Sequence, residues 1–130
     1  MASQFEAVAG KAIGYTTGGT VTQATNKSTA VTLNTESGQI TMNAAALADG
    51  AEVTFQVNND RVAATDVVVV NHGSGGTAGA YWLVVSTVAA GSFKVTVGIL
   101  SGGSLSQAIV INYALVKGAS SLWDCSHLGE

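Results

Sequence analysis

Several kinds of residue that usually shape or stabilise a small protein are scarce in this chain. Among its 130 residues there is no proline and one cysteine, Cys125, and charged residues make up only 10%. A single cysteine cannot form an internal disulfide, so stability has to come from packing. Proline and charge also protect exposed strand edges from pairing with other chains. Their scarcity therefore predicts that the strand edges are covered in an assembly.

The charges and apolar runs are also too few for two classes of partner. Five basic residues against eight acidic ones give a net charge of −3, with no basic cluster to neutralise phosphates, so we expect no nucleic-acid partner. No run approaches the roughly 18 apolar residues of a spanning helix, and the first residues lack the apolar core of a secretion signal. We therefore expect an intracellularly made protein with no membrane partner. Its hydrophobic share of 47% favours surface buried against other chains.

Short stretches of alternating apolar and polar residues are abundant. Residues 51–58 place Val53, Phe55 and Val57 on one side, and residues 107–116 repeat the pattern. Glycine, asparagine or serine follows each stretch, and about eight such strands fit in the chain. The sequence predicts an all-β fold, an antiparallel, jelly-roll-like β-sandwich over residues 19–117. An N-terminal arm (residues 1–18) and a C-terminal tail (residues 118–130) flank this domain.

Three local patterns give sharper expectations. Residues 29–34 and 39–42 alternate on either side of a turn at 35–38, with Gly38 in the left-handed conformation, and predict a β-hairpin. Residues 43–50, from Asn43 to Gly50, are the one helix-like piece, with a capping residue at each end. The unbroken run from Val67 to Val70 predicts a strand covered on both faces.

The stretch after the valine run contains residues that could carry chemistry. His72 lies near Asp66 and Ser74, but no nucleophile elbow surrounds the serine, and a histidine bonded to a turn backbone is the simpler interpretation. The glycine-rich loop at 73–79 lacks the Lys-Ser or Lys-Thr of a phosphate-binding loop. We therefore expect no enzyme activity and no cofactor, and we interpret the loop as a long turn.

Metal binding and glycosylation have weak signals. Asp124, Cys125 and His127 could offer ligands, yet a structural zinc usually needs four, and no second Cys/His pair exists, so we expect no metal. Asn26 begins a glycosylation pattern, which we attribute to coincidence because no secretion signal accompanies it.

The aromatic residues offer two kinds of contact. Tyr81 and Trp82 are strand neighbours and face opposite ways, so at most one of them can form a platform for a sugar. Trp123 is in the tail, where a docked tryptophan is a frequent hot spot, although it could equally fold back on its own domain. The candidate interface residues of the two terminal segments are Phe5, Tyr15, Leu122, Trp123 and Leu128.

Over residues 14–117 the chain resembles a family of small β-rich structural proteins of bacteriophages and prophages. The motifs that carry the resemblance are GGTVTQ at 18–23, NKST at 26–29, VTLN at 31–34, GQITMN at 38–43, AATDVVVVNH at 63–72, SGGTAGAY at 74–81 and AAGSF at 89–93. No catalytic residue carries over, and residues 1–13 and 118–130 fall outside the match.

The resemblance implies a virion protein made in the bacterial host cytoplasm. Members of the family resemble both head decoration proteins and the terminal domains of tail fibres or needles. Together with the charge-poor composition, this leads us to expect a homotrimeric decoration or cement protein, whose partners are its own copies and the major capsid protein. The alternative is a fibre or needle knob that binds host surface glycan, with Tyr81 or Trp82 as its platform.

Overall fold

The computed structural model of the chain describes residues 18–100 and 103–117. Within them the chain forms eight strands and no helix: β1 (Gly19–Thr22), β2 (Val31–Thr32), β3 (Ser37–Thr41), β4 (Glu52–Asn58), β5 (Val67–Ser74), β6 (Tyr81–Ala89), β7 (Ser92–Ile99) and β8 (Val110–Val116). They form two four-stranded sheets, sheet A in the order β1-β3-β8-β5 and sheet B in the order β2-β4-β7-β6. The predicted all-β sandwich of about eight strands is confirmed.

Chain direction explains why two of the strand pairs are parallel. Each strand runs opposite to the one before it, and the first four alternate between sheet A and sheet B. Strands β1 and β3 therefore point the same way and pair in parallel, as do β2 and β4. The other four pairs are antiparallel, as predicted. A strictly antiparallel jelly roll has no such parallel pairs.

The core lies between the two sheets and comes from the inward positions of the alternating strands. Phe93, Val95 and Val97 of β7 are fully buried, and so are Ile111 and Leu115 of β8. Burying one such side chain stabilises the fold by about 1.5–3 kcal/mol. One of the two central strands of each sheet, β8 in sheet A and β7 in sheet B, therefore supplies much of the apolar contact that holds the sandwich together.

The two ends of the sandwich contain the termini of different strands. We call the end that contains Gly19, Ser37 and Val116 the arm end, because β1 begins there and β8 finishes there. The opposite end, where β5 finishes at Ser74 and β6 begins at Tyr81, is the loop end.

The predicted hairpin is wrong. Strand β2 pairs with β4 in sheet B, whereas β3 pairs with β1 and β8 in sheet A, so the segment between β2 and β3 crosses from one sheet to the other. Gly38 does not have a positive φ and is a residue of β3, not of a turn. Alternation in the sequence identifies each strand but carries no information about which sheet it joins.

The predicted helix at residues 43–50 is also wrong. The segment is irregular and ends in a turn at residues 49–50, and Leu47 forms an isolated antiparallel bridge with Leu105, with backbone bonds of 2.9 and 3.0 Å. The Asn43 side chain accepts a bond from the Ala45 amide, which satisfies the backbone in a turn instead of a helix cap. Tertiary pairing thus outweighs the helix propensity of four alanines.

Among the described residues, the valine run is covered on one face only. Strand β5 is an edge strand of sheet A, with Val68 buried against the core and Val67 and Val69 exposed on the outer face. The unbroken β-branched run therefore forms a strand, but an edge strand and not a central one. Both long edge strands, β5 and β6, contain a register shift, at 72–74 and 85–87. Such bulges make it harder for another chain to pair with an edge strand. They give the protection that proline and charged residues provide in other proteins.

The close approach of β1 and β3 requires glycine at position 38. A Cβ there would lie 2.8 Å from Leu33 Cδ2 and 2.9 Å from the backbone oxygen of Gly19. We expect Gly38→Ala to lower the free energy of unfolding by about 1–3 kcal/mol, because the parallel pair must separate. Gln39→Ala, an exposed change on the same strand, is the control and should cost about 0.5 kcal/mol or less. Equal losses in urea denaturation would contradict this account.

Candidate functional surfaces

A buried lysine closes the loop end. Lys27 is only 4% exposed, and its Nζ donates to the backbone oxygens of Asn43 at 2.5 Å and Gln107 at 2.6 Å. Burial lowers the pKa of this ammonium below its usual value of 10.5. The two bonds tie the segments after β3 and before β8 to the loop between β1 and β2.

Gln23 completes this closure from the end of β1. Its Nε2 donates to the backbone oxygen of Lys27 at 2.8 Å, and its Oε1 accepts from the Asn43 amide at 3.0 Å. In the same loop, Asn26 Oδ1 accepts bonds from the amide and the hydroxyl of Ser28. Asn26, the first residue of the apparent glycosylation pattern, therefore lies in a turn, and its side-chain oxygen is bonded within that turn.

His72 stabilises the glycine-rich loop through its backbone. Its Nε2 lies 2.6 Å from the oxygen of Gly75 and 3.1 Å from that of Ser74. Carbonyl oxygens only accept, so Nε2 carries the proton in this arrangement and donates it. The ring meets Tyr81 edge-on, with centroids 5.7 Å apart. This geometry matches the interpretation of His72 as a turn histidine.

Gln107 holds the other side of the same loop. Its Oε1 accepts bonds of 2.9 Å from the Tyr81 hydroxyl and from the Thr77 amide, and its Nε2 donates to Thr77 Oγ1. Burial raises the pKa of the Tyr81 hydroxyl. A depression of about 410 Å³ lies between this loop and Tyr81. The His72 Nε2 and the Tyr81 hydroxyl that border it are both bonded within the protein.

Asp66 is too far along the strand to act with His72. It is buried at the arm end, where its Oδ2 accepts from the Ala63 amide at 2.9 Å and from Lys117 Nζ at 2.6 Å. His72 lies six residues further along β5, or about 20 Å at the rise of a strand. The structure thus separates the carboxylate from the imidazole.

Trp82 lies on the outer face of sheet B. A Cβ on Gly98, its register partner on β7, would fall 2.3 Å from two atoms of the indole, so the ring lies across this glycine. One row further along, Thr54 Oγ1 and Thr96 Oγ1 are 2.7 Å apart, and Thr96 donates to Ser86 Oγ at 3.1 Å. The partly exposed indole therefore lies beside a row of hydroxyls, and the exposed Glu52 of β4 is on the other side of Gly98 in the indole's own row. Its strand neighbour Tyr81 is buried, as alternation predicts.

The outer face of sheet A has an apolar part and a polar part. Val67, Val69, Ala114 and Val116 lie next to one another on β5 and β8, and we call this set the valine strip. Further toward the loop end, Asn71 is opposite Asn112, whose Oδ1 accepts a 3.0 Å bond from Gln39 Nε2.

The predicted interface residues of the two terminal segments lie outside the described residues. These are Phe5, Tyr15, Leu122, Trp123 and Leu128, together with the possible metal ligands Asp124, Cys125 and His127. Within residues 18–100 and 103–117, no three His, Cys, Asp or Glu side chains are grouped as metal ligands would be. The same part of the chain has no helix of the length and apolarity needed to cross a membrane.

The buried polar residues were missed by the sequence interpretation. Lys27 and Gln23 stand in a Thr- and Ser-rich stretch that is typical of a solvated loop. The bond from Gln23 to Lys27 is local, at four positions, but the partners of the Lys27 ammonium are 16 and 80 positions away, and no local signal identifies them.

Comparison with known proteins adds no relative. The chain matches no family model, no curated protein and no solved structure.

The buried lysine generates a stability prediction. We expect Lys27→Met to lower the free energy of unfolding at pH 7 by about 1–3 kcal/mol, because two buried carbonyl oxygens lose their donor. The exposed change Lys94→Met is the matched control and should stay within about 0.5 kcal/mol of the parent. The measurement is urea denaturation of all three proteins.

The pH dependence follows from the lowered pKa of Lys27. Between the pKa of the folded protein and 10.5, the unfolded chain binds the larger number of protons, so stability increases with pH there. The parent should therefore gain stability relative to Lys27→Met as the pH rises through this window. A constant difference between the two proteins across the window would contradict burial of the charged form.

Proposed function

We propose that the protein is a structural component of a bacteriophage virion, most simply a homotrimeric decoration or cement protein that binds the head shell. The observation that carries this proposal is the position of the two chain ends. Strand β1 begins and β8 finishes at the arm end, and only β3 separates them in sheet A. Gly19 is level with Tyr113, so Gly19 and Lys117 are separated by about two strand spacings, or 10 Å, across the sheet and by about 13 Å along the strands.

This arrangement suits attachment by two adjacent segments. Segments that leave a rigid domain side by side can bind one neighbouring surface together, which raises the effective concentration of the second contact. Phe5 and Trp123 are the anchors that we assign to them, because large aromatic side chains dominate many interfaces. The loop end then points away from the shell.

Composition and resemblance support the same proposal. The charge-poor, Thr- and Ser-rich chain is suited to close packing among its own copies, and the bacteriophage structural family supplies the major capsid protein as the partner. In this proposal the protein is made in the cytoplasm of the bacterial host and resides in the virion.

Deletion of residues 118–130 tests the attachment. We expect the shortened protein to fold with an unchanged circular dichroism spectrum and to bind capsid shells with lower occupancy in a co-sedimentation assay. Ala78→Lys, at the exposed loop end, is the control and should bind as the parent does. Unchanged occupancy after the deletion would reject the attachment role of the tail.

The second candidate is a fibre or needle knob that binds host surface glycan. The observation that favours it is the indole of Trp82 lying across Gly98 beside the hydroxyl row of sheet B. An exposed indole face gives a sugar ring an apolar surface to stack on, and the neighbouring hydroxyls and the Glu52 carboxylate can bond sugar hydroxyls. Trp82→Ala should abolish binding on a glycan array, while Val84→Ala, an exposed neighbour on the same face, should not. Binding that survives Trp82→Ala would remove this site, and the copy number on particles separates the two roles.

A further inference from the structure

The valine strip exposes apolar surface that nothing in the described chain covers. Val67 is 61% exposed, Val69 49% and Val116 44%, and Val67 and Val116 are register partners. By contrast, the next row toward the loop end on the same face carries the amide side chains of Asn71 and Asn112. The exposed valines of β5 and β8 are thus at the arm end.

The size of the strip argues against a second copy as its sole cover. A valine side chain buries on the order of 100 Å², so the three exposed valines offer roughly 150–200 Å². A stable interface needs about 800 Å² from each partner. One tryptophan side chain, however, buries about 150–250 Å². The strip therefore matches one aromatic side chain and a neighbour, and a segment already tethered nearby loses little entropy on docking.

The chain leaves the described domain beside this strip. Lys117 follows Val116 directly, and its Nζ donates to Asp66 Oδ2 and to the backbone oxygen of Arg61, both at 2.6 Å. Residues 118–130 then read GASSLWDCSHLGE. Gly118 permits a reversal, and Trp123, six residues past Lys117, can reach about 20 Å. The strip extends only about 7 Å along each strand from Val116 and Val67.

We propose that residues 118–130 fold back onto the valine strip of the same molecule, with Leu122 and Trp123 covering Val67, Val69 and Val116. The contact belongs to the isolated protein and goes beyond the proposed function. On a shell, the same segment exchanges its own sheet for the partner surface. Shell binding after deletion of the tail and docking of the tail on the strip are separate measurements, so either can fail alone.

Tryptophan fluorescence of the full chain tests the docking. Trp82→Phe leaves Trp123 as the only tryptophan, and all variants are made in that background. We expect Val69→Lys to shift the Trp123 emission to longer wavelength and to remove its protection from iodide quenching. Thr22→Lys, exposed on β1 at the far edge of the same sheet, should change neither. Val67→Lys provides a second strip variant, and circular dichroism shows that each protein is folded.

A mixing experiment identifies which molecule supplies the strip. The Trp82→Phe/Val69→Lys chain is refolded with an excess of a Trp82→Phe/Trp123→Phe chain whose strip is intact. Docking within one molecule leaves the Trp123 emission at long wavelength, as we expect. A return to short wavelength would overturn the proposal and assign the strip to the tail of a neighbouring copy. Emission that neither Val67→Lys nor Val69→Lys alters would also overturn it.

Discussion

The structure depends on the requirement that every buried polar group be hydrogen-bonded. In the described part of the chain, no buried side-chain nitrogen or oxygen lacks a partner. At the loop end, Lys27 and Gln23 satisfy the backbone of the segments that join the two sheets. At the arm end, Asn59 donates to the Thr35 oxygen at 2.7 Å and to the Tyr113 hydroxyl at 3.2 Å. Because an unpaired buried group costs about 1–3 kcal/mol, these contacts restrict where each crossing segment can lie.

Such contacts explain which parts of the fold the sequence could predict. Strands β4, β7 and β8 were identifiable because Phe55, Val95 and Ile111 stand in strict alternation, a consequence of local backbone geometry. The partners of a strand are set by contacts between distant residues. Nothing local to β2 and β3 distinguishes a hairpin from a crossing between sheets. Similarly, the run of valines fits an edge strand as well as a central one, because β-branching favours any extended backbone.

The contacts at the candidate sites also divide into those that the local sequence predicts and those that depend on distant residues. The opposite orientations of Tyr81 and Trp82 were predictable from the period of a strand, whereas the contact between Trp82 and Gly98 depends on the register of two strands. The bonds from His72 to Ser74 and Gly75 are local, and sequence reasoning could anticipate a turn histidine. The role of Lys27 could not be anticipated, since its partner Gln107 is 80 positions away.

The distribution of polarity over the molecule has a bearing on function. The glycine-rich loop at 73–79 is stabilised by two side chains that bond its backbone. His72 bonds the oxygen of Gly75, and Gln107 accepts from the amide of Thr77. Of the large apolar side chains that remain exposed in the described residues, Val67, Val69 and Val116 lie near the arm end, whereas Val84 lies on sheet B and Leu100 at the loop end. Three of the exposed valines adjoin the point where residues 118–130 join the domain, and apolar surface at such a point can be covered by a joined segment or by a neighbouring molecule. The assembly role proposed above depends on this local arrangement and not on the glycine-rich loop.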